Sequence, residues 1–194
     1  MQATQEADGP AGYAPAMACD TASRTFRFYW EDFSPGTVRE FGATAVTREA
    51  TLAFAAQFDP QPFHLDDAAA EASLFGRLSA SGWHTTAMAM RMMCDDHLLD
   101  TASLGSPGID QLRWVKPVYP GDTLSMRLEV LEARNMGSRP GVGLVKSRWT
   151  VLNQHAEPVM TMEGWGMMRK RPTPVGTPDP TPVCAPDGTS ALPG

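Results

Sequence analysis

The sequence predicts an α+β domain in which a curved antiparallel sheet packs around one apolar helix, and three observations lead there. Helical signals fall in the first half of the chain and three or four strand-like segments follow one another in the second, a segregation that indicates α+β rather than alternating α/β. Trp83 to Met93 is almost wholly apolar, with Arg91 its one charge, so the helix it forms needs a wrapper inside a soluble protein. At 194 residues and 42% hydrophobic, the chain can bury one proper core with ragged ends left over.

The elements follow in order. Residues 1–22 are rich in Ala, Gly and Pro without a sustained period and read as a loose arm, and the domain proper is expected over 23–170. Thr25 to Trp30 has the aromatic bias of a short strand, Pro35-Gly36 marks a turn, and Thr37 to Val46 is a second strand candidate. Thr47 opens a helix that keeps Leu52, Phe54, Ala55 and Phe58 roughly on one face and runs straight into Asp59. Asp66 or Asp67 caps a further short helical run towards Leu74. Ser79-Ala80-Ser81-Gly82 is a small-residue stretch that permits close backbone approach, and the apolar helix follows it.

Beyond that helix, Cys94 to Pro107 reads as a connection. Strands are expected at 109–118, 123–136, 142–152 and 158–168, with Leu124, Met126, Leu128 and Val130 alternating against Ser125, Arg127 and Glu129 as a half-buried strand requires. Residues 171–194 carry proline too often for helix or sheet to propagate and read as a disordered or extended tail.

Composition excludes several classes of function. A net charge of -6 argues against a nucleic-acid surface, which shows a basic stripe. Cys19, Cys94 and Cys184 are few, odd in number and scattered, which fits a reducing compartment, and no CxxC spacing points to a metal. The first twenty residues lack a signal-peptide pattern and no apolar run reaches membrane-spanning length, so the expectation is a cytoplasmic protein with no membrane partner.

The chemistry concentrates between Asp59 and His64. Pro60 and Pro62 stiffen the five-residue interval and hold a carboxylate and an imidazole in register. His64 can accept a proton near neutral pH, and Asp59 can share the same water. The amide of Gly82 at the start of the apolar helix is the candidate oxyanion donor, with Ser81 and Trp83 beside it as candidate substrate-binding positions. A turn-capping Asp is the bland alternative for Asp59. His84 reads as a packed core or interface residue, and Met88, Met90, Met92 and Met93 as core filling or the lining of a tunnel.

Asp59, Pro62, His64 and Asp66 stand as in the pattern Asp, any residue, Asn, Pro, any residue, His, then Asp two later. With YWEDFSPG at 29–36 and LRWVKPVYPGDTL at 112–124, the chain resembles the MaoC-like acyl dehydratases, relatives of the (R)-specific enoyl-CoA hydratases, over roughly residues 25 to 170. It departs from them at Gln61, where many relatives carry Asn, and at Ser81, where many carry a second His. The resemblance implies the hot-dog fold, a homodimer or dimer of dimers, and no metal or organic cofactor. It also implies hydration of a trans-2-enoyl thioester, or the reverse dehydration, with an acyl-CoA or acyl-carrier-protein thioester as substrate. A hot-dog thioesterase and a non-catalytic acyl-CoA-binding subunit are the alternatives.

Overall fold

The computed structural model describes residues 25–172. The expected arm at 1–22 and the tail from 173 onward lie outside the described residues. Five strands, β1 (Val38–Ala45), β2 (Gly108–Trp114), β3 (Thr123–Asn135), β4 (Val142–Leu152) and β5 (Pro158–Arg169), form one antiparallel sheet in the order β1-β3-β4-β5-β2. Four helices are α1 (Arg48–Phe58), the single turns α2 (Pro62–Leu65) and α3 (Asp67–Glu71), and α4 (Gly82–Asp96). This is the hot-dog arrangement, with α4 lying on the sheet.

The core forms where the period of two in the sheet meets the period of 3.6 in α4. Leu124, Met126, Leu128 and Val130 point inward from β3 while their neighbours face outward. Leu124 and Met126 meet Met88, Ala89, Met92 and Met93 of α4 together with Val151, Val159, Met160 and Met162 of β4 and β5, while Val130 packs in a second cluster with Phe33, Val145 and Met168. Each such aliphatic or thioether side chain contributes about 1.5 to 3 kcal/mol by leaving water, and the flexible methionines fill gaps between sheet and helix. In β1 the register slips between Phe41 and Thr44, where Gly42 adopts φ +82° and a Cβ would collide with the Met92 thioether. The bulge therefore lets the edge strand close over α4.

Three expectations need correction. Thr25 to Trp30 is not a strand: Phe28 makes an isolated bridge to Thr101, and a 3-10 turn follows at Trp30–Asp32. Its aromatic residues serve as a plug, with Tyr29 and Phe33 buried and Phe28 edge-on to Phe33, rather than as sheet. The strand expected over 109–118 ends at Trp114. Val115 and Lys116 both donate to the Val159 carbonyl, and Pro117 has no N–H to carry the ladder further.

The third correction concerns α4 itself. It runs to Asp96, past the expected end, and it is not enclosed on every side by its own chain. Trp83 and Met90 are 57% and 47% exposed, next to an edge strand whose Ile109 and Trp114 are also exposed.

Candidate active site

Asp59 is placed by the end of α1. Its N–H donates to the Ala55 carbonyl, so the residue is the C-cap of that helix, and Thr47 caps the other end by accepting from the Ala50 N–H. Pro60 then blocks helical continuation. The Gln61 N–H folds back onto the Asp59 carbonyl at 2.8 Å, and Pro62 starts α2 at the first helical position, where its missing donor costs nothing. One helical turn delivers His64 into the interior at 5% exposure, edge-on to Phe63 and tilted against Phe75. Asp66 closes the segment as the N-cap of α3, accepting from the Ala69 N–H at 2.9 Å.

The two side chains meet. His64 Nε2 lies 3.6 Å from Asp59 Oδ2. On the other side of the ring, Nδ1 lies 2.8 Å from the Ser79 carbonyl oxygen. A carbonyl only accepts, so Nδ1 carries the hydrogen and Nε2 of the neutral ring presents its lone pair towards Asp59. The gap of 3.6 Å exceeds a direct hydrogen bond and suits two acceptors that share a third group.

Ser81 and Gln61 hold the carboxylate. The Ser81 hydroxyl donates to Asp59 Oδ2 at 2.6 Å, and the Gln61 amide donates to Oδ1 at 2.7 Å. The Ser81 hydroxyl foremost, then the Gln61 amide and the neighbouring His64, keep the Asp59 carboxyl below the ordinary carboxylate range, against partial desolvation that acts the other way. The long amide at 61 thus braces the carboxylate rather than nearby backbone. Ser81 is almost fully buried and also caps α4 by accepting from the Trp83 N–H at 3.2 Å, so it supports the floor of the cleft without lining it.

The cleft has a volume of about 390 Å³. Asp59, His64 and Phe75 line it on one side, Ala80 and Gly82 at its floor, and residues 114–118 on the far wall. The Ala80 N–H bonds the Val118 carbonyl at 2.8 Å, which ties the floor to that wall. The Gly82 N–H opens α4 and, among the described residues, has no hydrogen-bond partner, whereas the Trp83 N–H is taken by the Ser81 cap. The space that glycine leaves at position 82 is occupied by the Trp114 indole, since an added Cβ would lie 2.5 Å from that ring. Trp114 donates through Nε1 to Thr86 at 3.3 Å and meets Trp83 edge-on at 5.2 Å.

Asp59, His64 and Gly82 therefore face one cleft, Trp83 stands at its exposed rim, and Ser81 lies beneath. Sequence reasoning missed Ser79, whose carbonyl oxygen and hydroxyl lie 2.8 and 3.4 Å from His64 Nδ1. Residues 114–118, singled out only as part of the stretch at 112–124, were not assigned to the site. His84 is buried and stacked on Phe54 at 4.8 Å, with Nδ1 lacking a partner among the described residues, and burial lowers its pKa. Among the described residues no three His, Cys, Asp or Glu side chains gather in a metal-ligating group.

Comparison with known proteins places this geometry in a context. The family model described as "MaoC like domain" matches residues 32–150. A crystallised MaoC-like dehydratase from Rhodospirillum rubrum is similar at 38% identity and a TM-score of 0.70, covering 75% of this chain and 99% of that one. The R-hydratase PhaJ1 of Pseudomonas aeruginosa is similar at 26% identity and a TM-score of 0.58, over 74% of this chain and 87% of that one. Mesaconyl-CoA hydratase of Cereibacter sphaeroides is 41% identical over 75 residues, which are 38% of this chain and 21% of that enzyme.

Proposed function

Because this chain belongs to the MaoC-like domain family, we propose that its cleft adds water across the C2–C3 double bond of an enoyl thioester, or removes it from the 3-hydroxyacyl thioester. The observation that carries the reading is the pair of acceptors, Asp59 Oδ2 and His64 Nε2, 3.6 Å apart over one cleft beside a free helix-start amide. The support is familial as well as geometric, since proteins described as hydratases and dehydratases share the fold.

In this reading one water donates its two hydrogens to Asp59 and His64 and turns a lone pair to C3. As the oxygen bonds to C3, the π electrons move to C2 and onto the thioester oxygen, which the Gly82 N–H and the α4 dipole stabilise. One proton passes from the water to His64 Nε2, and the imidazolium returns it to C2, so the product gains one hydroxyl and one hydrogen. Asp59 remains anionic throughout, as its lowered pKa favours, and steadies the imidazolium. Ser79 fixes the tautomer that makes Nε2 the acceptor.

A dimer belongs to the same reading. The exposed Trp83, Met90, Ile109 and Trp114 together with the open edge of β2 form an apolar face that a second copy would cover. The reaction is tested by following the enoyl absorbance of crotonyl-CoA. The protein should abolish the absorbance without releasing free thiol, and release of free CoA instead would replace hydration with thioester hydrolysis.

A further inference from the structure

We propose that a chamber between the C-terminal half of α4 and the sheet binds a small aliphatic molecule by its hydroxyl group, which donates to His97 Nε2 and accepts from Ser147. The chamber has a volume of about 190 Å³ and, among the described residues, shares no lining residue with the catalytic cleft, so binding there stands apart from the reaction proposed above. It lies where the two core clusters part: Met93 and Met162 belong to one, Phe33 and Met168 to the other, and all four line it. Its cause lies in the sheet. Val145, Ser147, Trp149 and Val151 form the inward row of β4, and Ser147 stands between Val130 of β3 and Gly164 of β5, so the middle of the row lacks bulk.

A cavity of about 150 Å³ lined by aliphatic and aromatic side chains accepts benzene, which sets the size of the apolar body. The polar groups set its chemistry. Ser147 is 4% exposed and lines the chamber, and its hydroxyl makes no hydrogen bond among the described residues. Ser103 and Ser106 on the same wall are instead engaged with the main chain of Gly105 and Gly108. The Trp149 indole lines the chamber as well, and its Nε1 has no partner among the described residues. Buried polar groups are ordinarily hydrogen-bonded, and two unpaired ones around one small space are what a polar ligand atom would satisfy.

His97 supplies the acceptor. It is the C-cap of α4, buried, with its ring against Phe33 and Phe41 at 6.2 and 5.6 Å. Nδ1 lies 3.1 Å from Asp96 Oδ2, which also accepts from Arg39 at 2.8 Å. An ionised carboxylate only accepts, so Nδ1 carries the hydrogen and Nε2 of the neutral ring keeps its lone pair. Burial foremost holds the His97 pKa below the ordinary histidine value, against the pull of Asp96. The ring lines the chamber, and Nε2 has no partner among the described residues. A ketone or carboxylate oxygen would take the serine and indole donors but not Nε2, and an ammonium would take Nε2 but not the indole donor. A hydroxyl satisfies both kinds of partner.

The full-length protein is titrated with cyclohexanol and, separately, with cyclohexanone, which has a ring of the same size but no hydrogen to donate. The readout is the indole N–H resonance of Trp149, identified by its absence in Trp149→Phe. The expected result is a Kd of about 1 mM for the alcohol and binding about tenfold weaker for the ketone. Ser147→Ala should weaken the alcohol about tenfold, and His97→Phe, which keeps a ring against Phe33 and Phe41, should erase the preference for alcohol over ketone, with circular dichroism checking both folds. Equal affinities for the two probes in wild type, or an alcohol affinity unchanged in either variant, would overturn the proposal. So would an unmoved indole resonance, the mark of a chamber that holds water only. The hydroxyl can belong to a free alcohol or to the end of an acyl chain, and KM values for trans-2-octenoyl-CoA and its 8-hydroxy form separate the two. A KM about tenfold lower for the hydroxylated chain, lost in Ser147→Ala, identifies the chain end, and equal values identify a free alcohol. Should wild type hydrate neither, the reaction proposed above fails, and the titration still decides the chamber.

Discussion

Replacing Ser81 with Ala tests the support of the dyad most directly, because one hydroxyl does two separable things. It donates to Asp59 at 2.6 Å and accepts from the Trp83 N–H at 3.2 Å, with almost no access to solvent. A hydrogen bond to a charged group contributes about 1.5 to 3 kcal/mol, and loss of an N-cap costs about 1 kcal/mol, so Ser81→Ala should destabilise by about 2 to 4 kcal/mol at pH 7. The two parts respond differently to acid. A carboxyl whose folded pKa is depressed contributes stability above its unfolded pKa and loses it as pH falls through the folded value. The cap contribution has no such dependence. Urea unfolding of wild type and variant at pH 7 and at about pH 3 should therefore show a gap that narrows in acid towards the cap alone. An equal gap at both pH values would refute the bond to the ionised carboxylate. In activity, a carboxylate released from Ser81 should lose alignment and lower kcat by about 10²-fold, the scale of a small misplacement.

Further outcomes follow from other contacts. Asp59→Asn and His64→Ala should each lower crotonyl-CoA hydration by at least about 10³-fold in the absorbance assay, on the scale of an acid-base contribution, while circular dichroism keeps the native signal. Gly82→Ala forces its Cβ against the Trp114 ring and should cost about 1 to 3 kcal/mol in denaturant unfolding. Combining it with Trp114→Ala should recover part of the loss, and strict additivity would count against the clash. Burial lowers the pKa of His84, so the unfolded chain takes up a proton first and stability falls as pH drops through the unfolded histidine value. His84→Phe should reduce that fall between pH 7 and pH 5, measured by thermal unfolding. Ile109→Lys on the open edge of β2 should shift the sedimentation profile from dimer to monomer if the apolar face joins two copies.

What the sequence discloses depends on whether a contact is local. The strand at 123–135 is legible because Leu124 to Val130 repeat with a period of two, and its inward face is the buried one. The turn from Asp59 to His64 is legible because proline restricts it within a few residues, and Asp66 caps the following helix as its chemistry suggests. The aromatic run at 25–30 misleads because β propensity and hydrophobic plugging favour the same residue types, and only tertiary packing against Thr101 separates them. The far wall of the cleft could not be assigned because residues 114–118 stand some fifty positions beyond Asp59 and are held there by main-chain bonds from Val115 and Lys116 to Val159 and from Ala80 to Val118. The exposed side of α4 could not be inferred either, since composition says that a surface is apolar but not whether the same chain covers it.

The bond from His64 Nδ1 to the carbonyl of Ser79 has a consequence for how this cleft can diversify. Every residue type supplies that oxygen, so the partner of Nδ1 does not depend on which side chain stands at position 79, even though Ser79 is fully buried and its hydroxyl also lies 3.4 Å from Nδ1. The neighbouring Ala80 amide is likewise bound through main chain to Val118. The cleft walls can thus exchange side chains while the acceptor nitrogen keeps a main-chain partner.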